Sequence, residues 1–278
     1  MVGKKIAIGG KGGVGKTTVC AVWAEIFAED GLEVLAIDAD PTTSLASAFG
    51  IPREQSPEPL IAMKDLIAER TGTGKEAIRA YFKLNPKVSD LPEKYSLDVG
   101  RPLGGRPLMG RSPRGKLKLL VLGAITQGGG GCACPEGAFL KALLTHTILQ
   151  RQEVVLVDLA AGVEFMGRAS VQGIDALVLV VEPGGRSIET ANNMARMAGE
   201  LGIGCVAAIA NKITDSAQRE LIESQLNDIV LVGSLAYSPA LQQADLKRER
   251  VFEADTEVVE QLRRAKNSLT GLFSSRAG

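Results

Sequence analysis

The sequence predicts a doubly wound α/β fold, in which helices cover both faces of a mostly parallel sheet. Short apolar runs alternate with longer segments of helical periodicity, and the runs are continuous, as in strands buried on both sides. The predicted strands are 5–8, 34–38, 117–122, 154–158, 176–181, 206–210 and 229–235. The predicted helices are 16–30, 137–149, 187–201, 217–226 and 256–272. Strands and helices in alternation indicate one sheet wound in both directions.

The composition fits a soluble protein with one large core. The chain has 278 residues, of which 45% are hydrophobic and 23% are charged. Basic and acidic residues are equal, at 32 each, so no overall basic field exists to hold nucleic acid or an anionic membrane. No stretch approaches the roughly 20 apolar residues of a membrane span, and no signal peptide precedes the first strand. We therefore expect a cytoplasmic protein without nucleic acid or stable membrane association.

Two segments interrupt the alternation of strands and helices. The stretch 51–98 contains a predicted helix at 60–70 and a tail rich in proline and glycine. The stretch 99–118 carries six basic residues among glycines and prolines, which is a loop composition. This basic loop is either a mobile surface loop or a docking site for an acidic partner. We expect one domain over 1–278, with an inserted helical and loop region at about 51–116.

A glycine-rich loop lies between the first predicted strand and the first predicted helix. Residues 10–18 read GKGGVGKTT and contain the P-loop pattern G-x-x-x-x-G-K-S/T in the structural context that the pattern requires. We expect its backbone N–H groups to bind the phosphates of ATP or ADP, Lys16 to reach the β- and γ-phosphates, and Thr17 to ligate Mg²⁺. The expected phosphate-binding residues are Gly12, Gly13, Val14, Gly15, Lys16, Thr17 and Thr18.

An additional lysine, Lys11, distinguishes this loop from an ordinary P-loop. With it, the loop resembles that of the deviant Walker A ATPases, a group that contains MinD, ParA, the nitrogenase iron protein and CooC-type ATPases. The resemblance implies that Lys11 crosses a dimer interface to the ATP of the partner subunit. There it would stabilise charge in the transition state, as an arginine finger does. The resemblance therefore implies a nucleotide-dependent homodimer.

Two further strand ends resemble the switch segments of this group. Asp38 and Asp40 follow the second strand, and the resemblance implies that Asp40 positions or activates the attacking water while Asp38 lies near the metal. Two aspartates that cap a turn are the alternative. Asp158 ends an apolar strand, as the Walker B aspartate that holds Mg²⁺ does. Gly162 follows and would sense the γ-phosphate through its N–H.

A polar pair, Asn211 and Lys212, closes the predicted strand 206–210. The pair matches the adenine-contacting Asn-Lys of the same group, and the side-chain amide of Asn211 can pair with the adenine edge. Ordinary polarity at a strand end is the alternative.

Cys132 and Cys134 form a C-x-C motif after four consecutive glycines. In an extended backbone, residues two apart point to the same side, so the two sulfurs can face one site. Tetrahedral zinc or a sulfur-ligated cluster needs four donors, and a symmetric dimer could supply two from each subunit. Packed cysteines that bind nothing are the alternative. We expect Cys20 and Cys205 to be packed thiols, and His146, the only histidine, not to be a ligand.

The C-x-C motif narrows the resemblance to CooC-type ATPases, which insert nickel into carbon monoxide dehydrogenase. The resemblance also covers 60–65, 84–88 and 158–164. It implies one ion, Ni²⁺ or Zn²⁺, held by the thiolates of two subunits in a manner coupled to nucleotide. It also implies a client metalloenzyme, carbon monoxide dehydrogenase.

Two other hypotheses remain open within the same group. One is a positioning or partition ATPase of the MinD/ParA sort, which would use ATP-dependent dimerisation to bind membrane or DNA. The segment 262–273 could be its weak membrane anchor, although a helix packed on the sheet is the commoner structure for such a segment. The other is an ATP-driven electron donor with a four-iron, four-sulfur cluster, like the nitrogenase iron protein.

Overall fold

The computed structural model describes residues 3–72, 83, 86–99, 115–123, 135–146, 153–162 and 173–275. The strands in these residues are β1 (Lys4–Gly9), β2 (Glu33–Ala39), β3 (Leu97–Asp98), β4 (Leu117–Val121), β5 (Glu153–Leu159), β6 (Ala176–Val181), β7 (Cys205–Ile213) and β8 (Val230–Ala236). The helices are α1 (Lys16–Glu29), α2 (Leu45–Ala48), α3 (Lys64–Thr71), α4 (Leu91–Tyr95), α5 (Pro135–His146), α6 (Gly185–Glu200), α7 (Ser216–Gln225), α8 (Pro239–Lys247), α9 (Val251–Ala254) and α10 (Thr256–Ser275).

These strands form one sheet in the order β3-β4-β2-β5-β1-β6-β7-β8. Every neighbouring pair is parallel except β3 and β4, which are antiparallel. The carboxyl ends of the parallel strands therefore meet at one edge of the sheet, where open α/β folds bind their ligands. The prediction of a doubly wound, mostly parallel sheet is confirmed.

Strand β6 shows why the strands read as continuous apolar runs. Alternate residues, Ala176, Val178 and Val180, belong to the hydrophobic cluster on one face of the sheet. The residues between them, Leu177, Leu179 and Val181, belong to the cluster on the other face. Helices α1 and α10 cover the first face, whereas α5 and α6 cover the second. Both faces of the strand are buried, so the apolar/polar alternation of a half-exposed strand is absent from it.

The prediction of a single helix over 60–70 is wrong in its first turn. Residues Leu60–Ala62 form a 3-10 turn, and the α-helix α3 begins only at Lys64. Met63 separates the two with a non-helical backbone, φ −80° and ψ 73°. The N–H of Ile61 donates to Leu122 O over 3.1 Å, just beyond β4. This tertiary hydrogen bond ties the first turn to the sheet, which overrides the local helical preference.

Helix α8 was not predicted, although its start signal stands in the sequence. Pro239 occupies the first turn, where its missing N–H costs nothing. Ser238 precedes it, and the Ser238 hydroxyl accepts a hydrogen bond from the N–H of Leu241 over 3.3 Å. A serine followed by a proline therefore marks the N-terminus of this helix.

Helix α10 packs its apolar side against the sheet and α1. Leu262, Ala265 and Leu269 are fully or almost fully buried, and the indole N–H of Trp23 donates to Leu262 O over 2.9 Å. Arg263 adds an ion pair to Glu29, 2.8 Å long. The apolar face of α10 thus belongs to the core, as expected for a helix packed on the sheet. Across the described residues, no helix combines the length and the apolar character needed to cross a membrane.

Replacing Leu262 with alanine should lower the free energy of unfolding by about 2–5 kcal/mol, because it leaves a cavity between α10 and the sheet. The matched control is Leu246→Ala on α8, where the leucine is 78% exposed and the change should stay within about 0.5 kcal/mol. Urea unfolding followed by the fluorescence of Trp23, the one tryptophan of the chain, measures both. Equal losses in the two variants would contradict the packing of α10.

Candidate nucleotide-binding site

The carboxyl ends of β1, β2, β5, β7 and β8 open into a cleft of about 650 Å³. Residues of the glycine-rich loop form its floor, and Asp40 and Ala161 lie beside them. Asn211 and Lys212, which hydrogen-bond to the loop, also line the cleft, as do the residues after β8. With the exception of Val14, which is buried, the predicted phosphate-binding residues and the predicted adenine-binding pair therefore line the same cleft, although they are up to 200 residues apart in the chain. The loop residues that line it are Gly12, Gly13, Gly15, Lys16, Thr17 and Thr18.

Two glycines of this loop have no room for a side chain. Gly10 has a φ of 141°, and a Cβ there would lie 2.5 Å from Val180 O. Gly15, which immediately precedes α1, has a φ of 100°, and a Cβ there would lie 2.4 Å from Nδ2 of Asn211. That amide is held in place, because Nδ2 donates to Val14 O over 2.7 Å. The glycines thus allow the loop to curl against the ends of β6 and β7, as a phosphate-binding loop must.

The start of α1 is joined to the end of β5 by one hydrogen bond. The Thr17 hydroxyl donates to Oδ2 of Asp158 over 2.6 Å. Asp158 is completely buried, and within the described residues its Oδ1 has no hydrogen-bond partner. Burial raises the pKa of Asp158 to about 7; the hydrogen bond from Thr17 opposes this shift, and the nearby charge of Asp38 adds to it. A buried carboxylate oxygen without a partner, next to a hydroxyl, fits the hard oxygen donors that Mg²⁺ prefers.

Asp38 lies in register with Asp158 on the neighbouring strand. It organises the turn after β2, because its Oδ1 accepts from the N–H of Asp40 over 3.1 Å and its Oδ2 from the N–H of Leu45 over 2.8 Å. Burial raises the pKa of Asp38 to about 6, against the two backbone hydrogen bonds. The side chain therefore serves as an anchor for the turn that carries Asp40.

Asp40 itself extends into the cleft. Its Oδ1 accepts hydrogen bonds from the N–H and the hydroxyl of Thr42, over 2.9 and 2.6 Å. Within the described part of the chain, no hydrogen bond to its Oδ2 is found. The hydrogen bonds to Oδ1 thus fix the orientation of the carboxylate, and a carboxylate that lines the cleft could orient a water there.

Three lysines surround the loop. Lys16 Nζ donates to the backbone oxygen of Lys11 over 3.4 Å. Lys11 Nζ contacts Glu182 Oε1 over 3.2 Å, and Lys212 Nζ contacts Glu182 Oε2 over 2.9 Å. Glu182 directly follows β6, and the sequence analysis missed it. The signal that could have found it is an acid at the carboxyl end of a buried parallel strand.

The residues after β8 are the second omission of the sequence analysis. Tyr237, Ser238 and Leu241 line the same cleft as Asn211. They belong to the turn and first helical turn that follow the carboxyl end of β8. The same rule of strand ends would have found them.

The predicted γ-phosphate sensor has a partner within its own subunit. The N–H of Gly162 donates to Gly10 O over 3.2 Å, and Gly162 has a φ of 84°. If this N–H is to contact the γ-phosphate, its hydrogen bond to Gly10 O must first break.

The predicted metal-binding cysteines, Cys132 and Cys134, lie outside the described residues, as do most of the basic loop and the side chain of His146. In the described ranges, no group of three or more His, Cys, Asp and Glu side chains is arranged to hold a metal ion. Cys20 and Cys205 are buried free thiols, which confirms that they are packed in the core.

Comparison with known proteins agrees with this geometry. Residues 5–251 match the family described as the CobQ/CobB/MinD/ParA nucleotide binding domain. The chain is similar to the carbon monoxide dehydrogenase accessory protein CooC of Rhodospirillum rubrum, with 39% identity over 243 residues that cover 87% of this chain and 86% of that protein.

Solved structures agree on the fold. The chain is similar to the MinD cell division protein of Aquifex aeolicus, with a TM-score of 0.65, 20% identity and coverage of 96% of this chain and 97% of that one. It is also similar to the septum site-determining protein MinD of Pyrococcus horikoshii complexed with Mg-ADP, with a TM-score of 0.64, 15% identity and coverage of 97% of both chains. Likeness at these identities concerns the fold alone.

Replacing Gly15 with alanine should weaken binding of a non-hydrolysable MgATP analogue by at least about tenfold. A left-handed conformation costs a residue with a Cβ about 1–2 kcal/mol, the added Cβ meets the fixed Asn211, and about 1.4 kcal/mol is tenfold in affinity. Isothermal titration calorimetry measures the change.

The matched control is Gly199→Ala in α6, where an added Cβ meets nothing within 4 Å and φ is ordinary. This variant should bind nucleotide as the wild type does. A Gly15→Ala variant that binds normally would contradict the placement of the phosphates in this loop.

Proposed function

This chain belongs to the CobQ/CobB/MinD/ParA family of nucleotide-binding domains, and from that premise we propose that it is an ATP-dependent metallochaperone. In this proposal the chain hydrolyses MgATP as a homodimer, binds a metal between its subunits, and couples hydrolysis to the insertion of nickel into carbon monoxide dehydrogenase. The observation that carries the proposal is the 39% identity to the accessory protein CooC across 87% of the chain, together with the C-x-C motif at Cys132 and Cys134.

The nucleotide part of the proposal rests on the cleft. Lys16 and the N-terminus of α1 bind the phosphates, and Asn211 and Lys212 bind the adenine. Thr17 and Asp158 hold Mg²⁺, which neutralises charge on the phosphates when it is bound. Asp40, oriented by Thr42, positions the attacking water. The hard oxygen donors at the buried end of the cleft support this assignment.

The dimer in this proposal rests on Lys11. Its ammonium lies beside Glu182, 3.2 Å away, and its side chain is 41% exposed. A lysine with this exposure can reach a second subunit. At the phosphates of the partner's nucleotide it would stabilise negative charge that develops in the transition state.

The metal is the cargo of the proposed reaction. Cys132 and Cys134 of two subunits supply four thiolates to one ion, Ni²⁺ or Zn²⁺. Binding of MgATP closes the dimer and brings the thiolates together, and hydrolysis separates them so that the ion can leave. Without this coupling, a site of four thiolates would hold its ion too tightly to be a donor.

The two other hypotheses receive less support. A MinD/ParA-like positioning ATPase that binds membrane could use the segment 262–273 as an anchor, but Leu262 and Leu269 are buried in the core, and neither membrane nor DNA binding accounts for the C-x-C motif. The similarity to the accessory protein CooC gives no support to an iron–sulfur electron donor. A brown colour of the anaerobically purified protein would indicate an iron–sulfur cluster and favour that hypothesis.

Titration of reduced apo-protein with Ni²⁺ or Zn²⁺ should give one ion per dimer. Cys132→Ala and Cys134→Ala should each abolish this binding, because two donors of the four are lost from the dimer. The affinity should differ between ADP and a non-hydrolysable ATP analogue. Equilibrium dialysis with metal analysis measures both quantities.

The matched control for the titration is Cys205→Ala, since this cysteine is buried at the start of β7. It should keep one ion per dimer. Metal binding that survives in both C-x-C variants would sink the metallochaperone and leave the positioning ATPase as the better hypothesis.

Replacing Asp40 with asparagine should lower kcat for ATP hydrolysis by about a hundredfold or more, since a positioned carboxylate contributes about 10²–10⁴. Nucleotide affinity should stay close to the wild-type value, because Thr42 can still donate to the remaining oxygen. Phosphate release at saturating MgATP measures the rate.

Asp228→Asn is the matched control for Asp40. Asp228 has a φ of 55°, which asparagine tolerates, and it precedes β8 at the opposite edge of the sheet. The kcat of the Asp228→Asn variant for ATP hydrolysis should equal that of the wild type. Equal kcat values for the Asp40 variant and the wild type would remove Asp40 from the mechanism.

A further inference from the structure

Glu182 is the point at which two lysines of the cleft meet. Its Oε1 contacts Lys11 Nζ over 3.2 Å and its Oε2 contacts Lys212 Nζ over 2.9 Å. The side chain of Glu182 is 22% exposed, against 41% for Lys11 and 40% for Lys212. Burial alone would raise the pKa of Glu182, but the hydrogen bonds from Lys212 and Lys11 bring it below its ordinary value. The carboxylate is therefore charged and shared at neutral pH.

The backbone holds Glu182 rigidly. It directly follows β6, whose residues are buried throughout. Its own N–H donates to the hydroxyl of Ser187 over 3.1 Å, and Ser187 is itself buried in the first turn of α6. The backbone from which the Glu182 side chain extends is thus fixed beside the glycine-rich loop, and the carboxylate is oriented by the two lysines that it contacts.

The two lysines are held unequally. Lys212 Nζ also donates to Gly13 O over 2.7 Å, and the N–H of Lys212 donates to Asn211 Oδ1 over 2.8 Å. The ammonium of Lys11, within the described residues, contacts Glu182 alone. Lys11 is therefore the partner that can leave. Its departure leaves Glu182 paired with Lys212, so no half-buried carboxylate is stranded without a cation.

We propose that Glu182 is a positioning residue that retains Lys11 on its own subunit and releases it when a nucleotide-loaded partner docks. This inference rests on the proposed function, in which Lys11 acts on the nucleotide of the other subunit. The ammonium cannot lie 3.2 Å from its own Glu182 and at the partner's phosphates at the same time. Docking therefore exchanges one ion pair in each subunit, and Glu182 opposes dimerisation until a phosphate competes for the lysine.

The effect of Glu182 on the dimerisation equilibrium can be estimated from the exposure of its ion pair with Lys11. An exposed ion pair changes an equilibrium constant by about two- to fivefold. Each dimer breaks two such pairs, one per subunit, so removal of the Glu182 charge should tighten the dimer by about fivefold or more. Because exposed charges are screened, the effect should shrink as salt is added.

The test is sedimentation velocity of the full chain over a range of protein concentrations, with a saturating non-hydrolysable MgATP analogue. Saturation removes any change in nucleotide affinity from the comparison. Glu182→Gln should lower the dissociation constant of the dimer about fivefold, and Glu182→Asp, which keeps the charge, should lie nearer the wild type. In a Lys11→Ala background, Glu182→Gln should bring no gain, because the lysine that it releases is gone.

The matched control is Glu189→Gln on α6, which removes the same charge from an exposed glutamate. It should leave the dimer unchanged. A merely structural role of Glu182 predicts a weaker dimer in Glu182→Gln, which is the opposite direction.

Each outcome decides the inference. A wild-type dimer that Glu182→Gln leaves unchanged or weakens overturns it, and the proposed function stands. The same holds if the gain persists in the Lys11→Ala background. A dimer that forms only in Glu182→Gln supports the restraint, whereas a nucleotide-bound chain that stays monomeric in both forms overturns the restraint and the proposed dimer together.

Discussion

The hydrogen bond between the Thr17 hydroxyl and Asp158 is the contact around which the site is arranged. It joins the first turn of α1 to the end of the central strand β5, 2.6 Å from donor to acceptor, and the acceptor Asp158 is completely buried. On the neighbouring strand β2, Asp38 is in register with Asp158. Asp38 stabilises the turn after β2, because its carboxylate accepts hydrogen bonds from the N–H groups of Asp40 and Leu45. Two buried carboxylates side by side are unfavourable unless a cation is brought to them. The fold therefore carries a local electrostatic cost, which either a bound cation or protonation of one of the two carboxyl groups relieves.

Much of this could be predicted from the sequence, because it depends on patterns that are local. The buried strands and the loop at 10–18 are short, and each follows from a pattern within its own segment, as does the presence of acids at two strand ends. The 3-10 turn at Leu60–Ala62 could not be predicted, since its cause is a hydrogen bond to Leu122, far away in the chain. Glu182 was missed for a similar reason: a lone acid after a strand gains meaning only when two lysines from distant segments meet it. The roles assigned to the cleft residues and to Cys132 and Cys134 stay predictions.

The cationic side chains described around the glycine-rich loop are those of three lysines, and the chemistry of lysine suits this position. A lysine is a compact charge on a flexible stem, and it can change partners at little cost. Lys16 hydrogen-bonds within its own loop, Lys212 joins β7 to the loop, and Lys11 contacts the half-buried carboxylate of Glu182. The three ammonium groups therefore differ in how easily they can change partners. Such a difference suits a site that binds phosphate tightly and still responds to a second subunit.

The short strand β3 has a consequence beyond the nucleotide cleft. Leu97–Asp98 pairs with β4, whose residues Leu117, Leu119 and Leu120 are buried. Without β3, the apolar β4 would be the last strand of the sheet, with a row of unpaired N–H and C=O groups that other chains could join. A strand of only two residues that ends in an aspartate offers few such groups. The segment between β2 and β4 thus protects the edge of the sheet from pairing with other chains. A shortened chain that lacks this segment should aggregate, which would prevent any measurement of its ATPase activity.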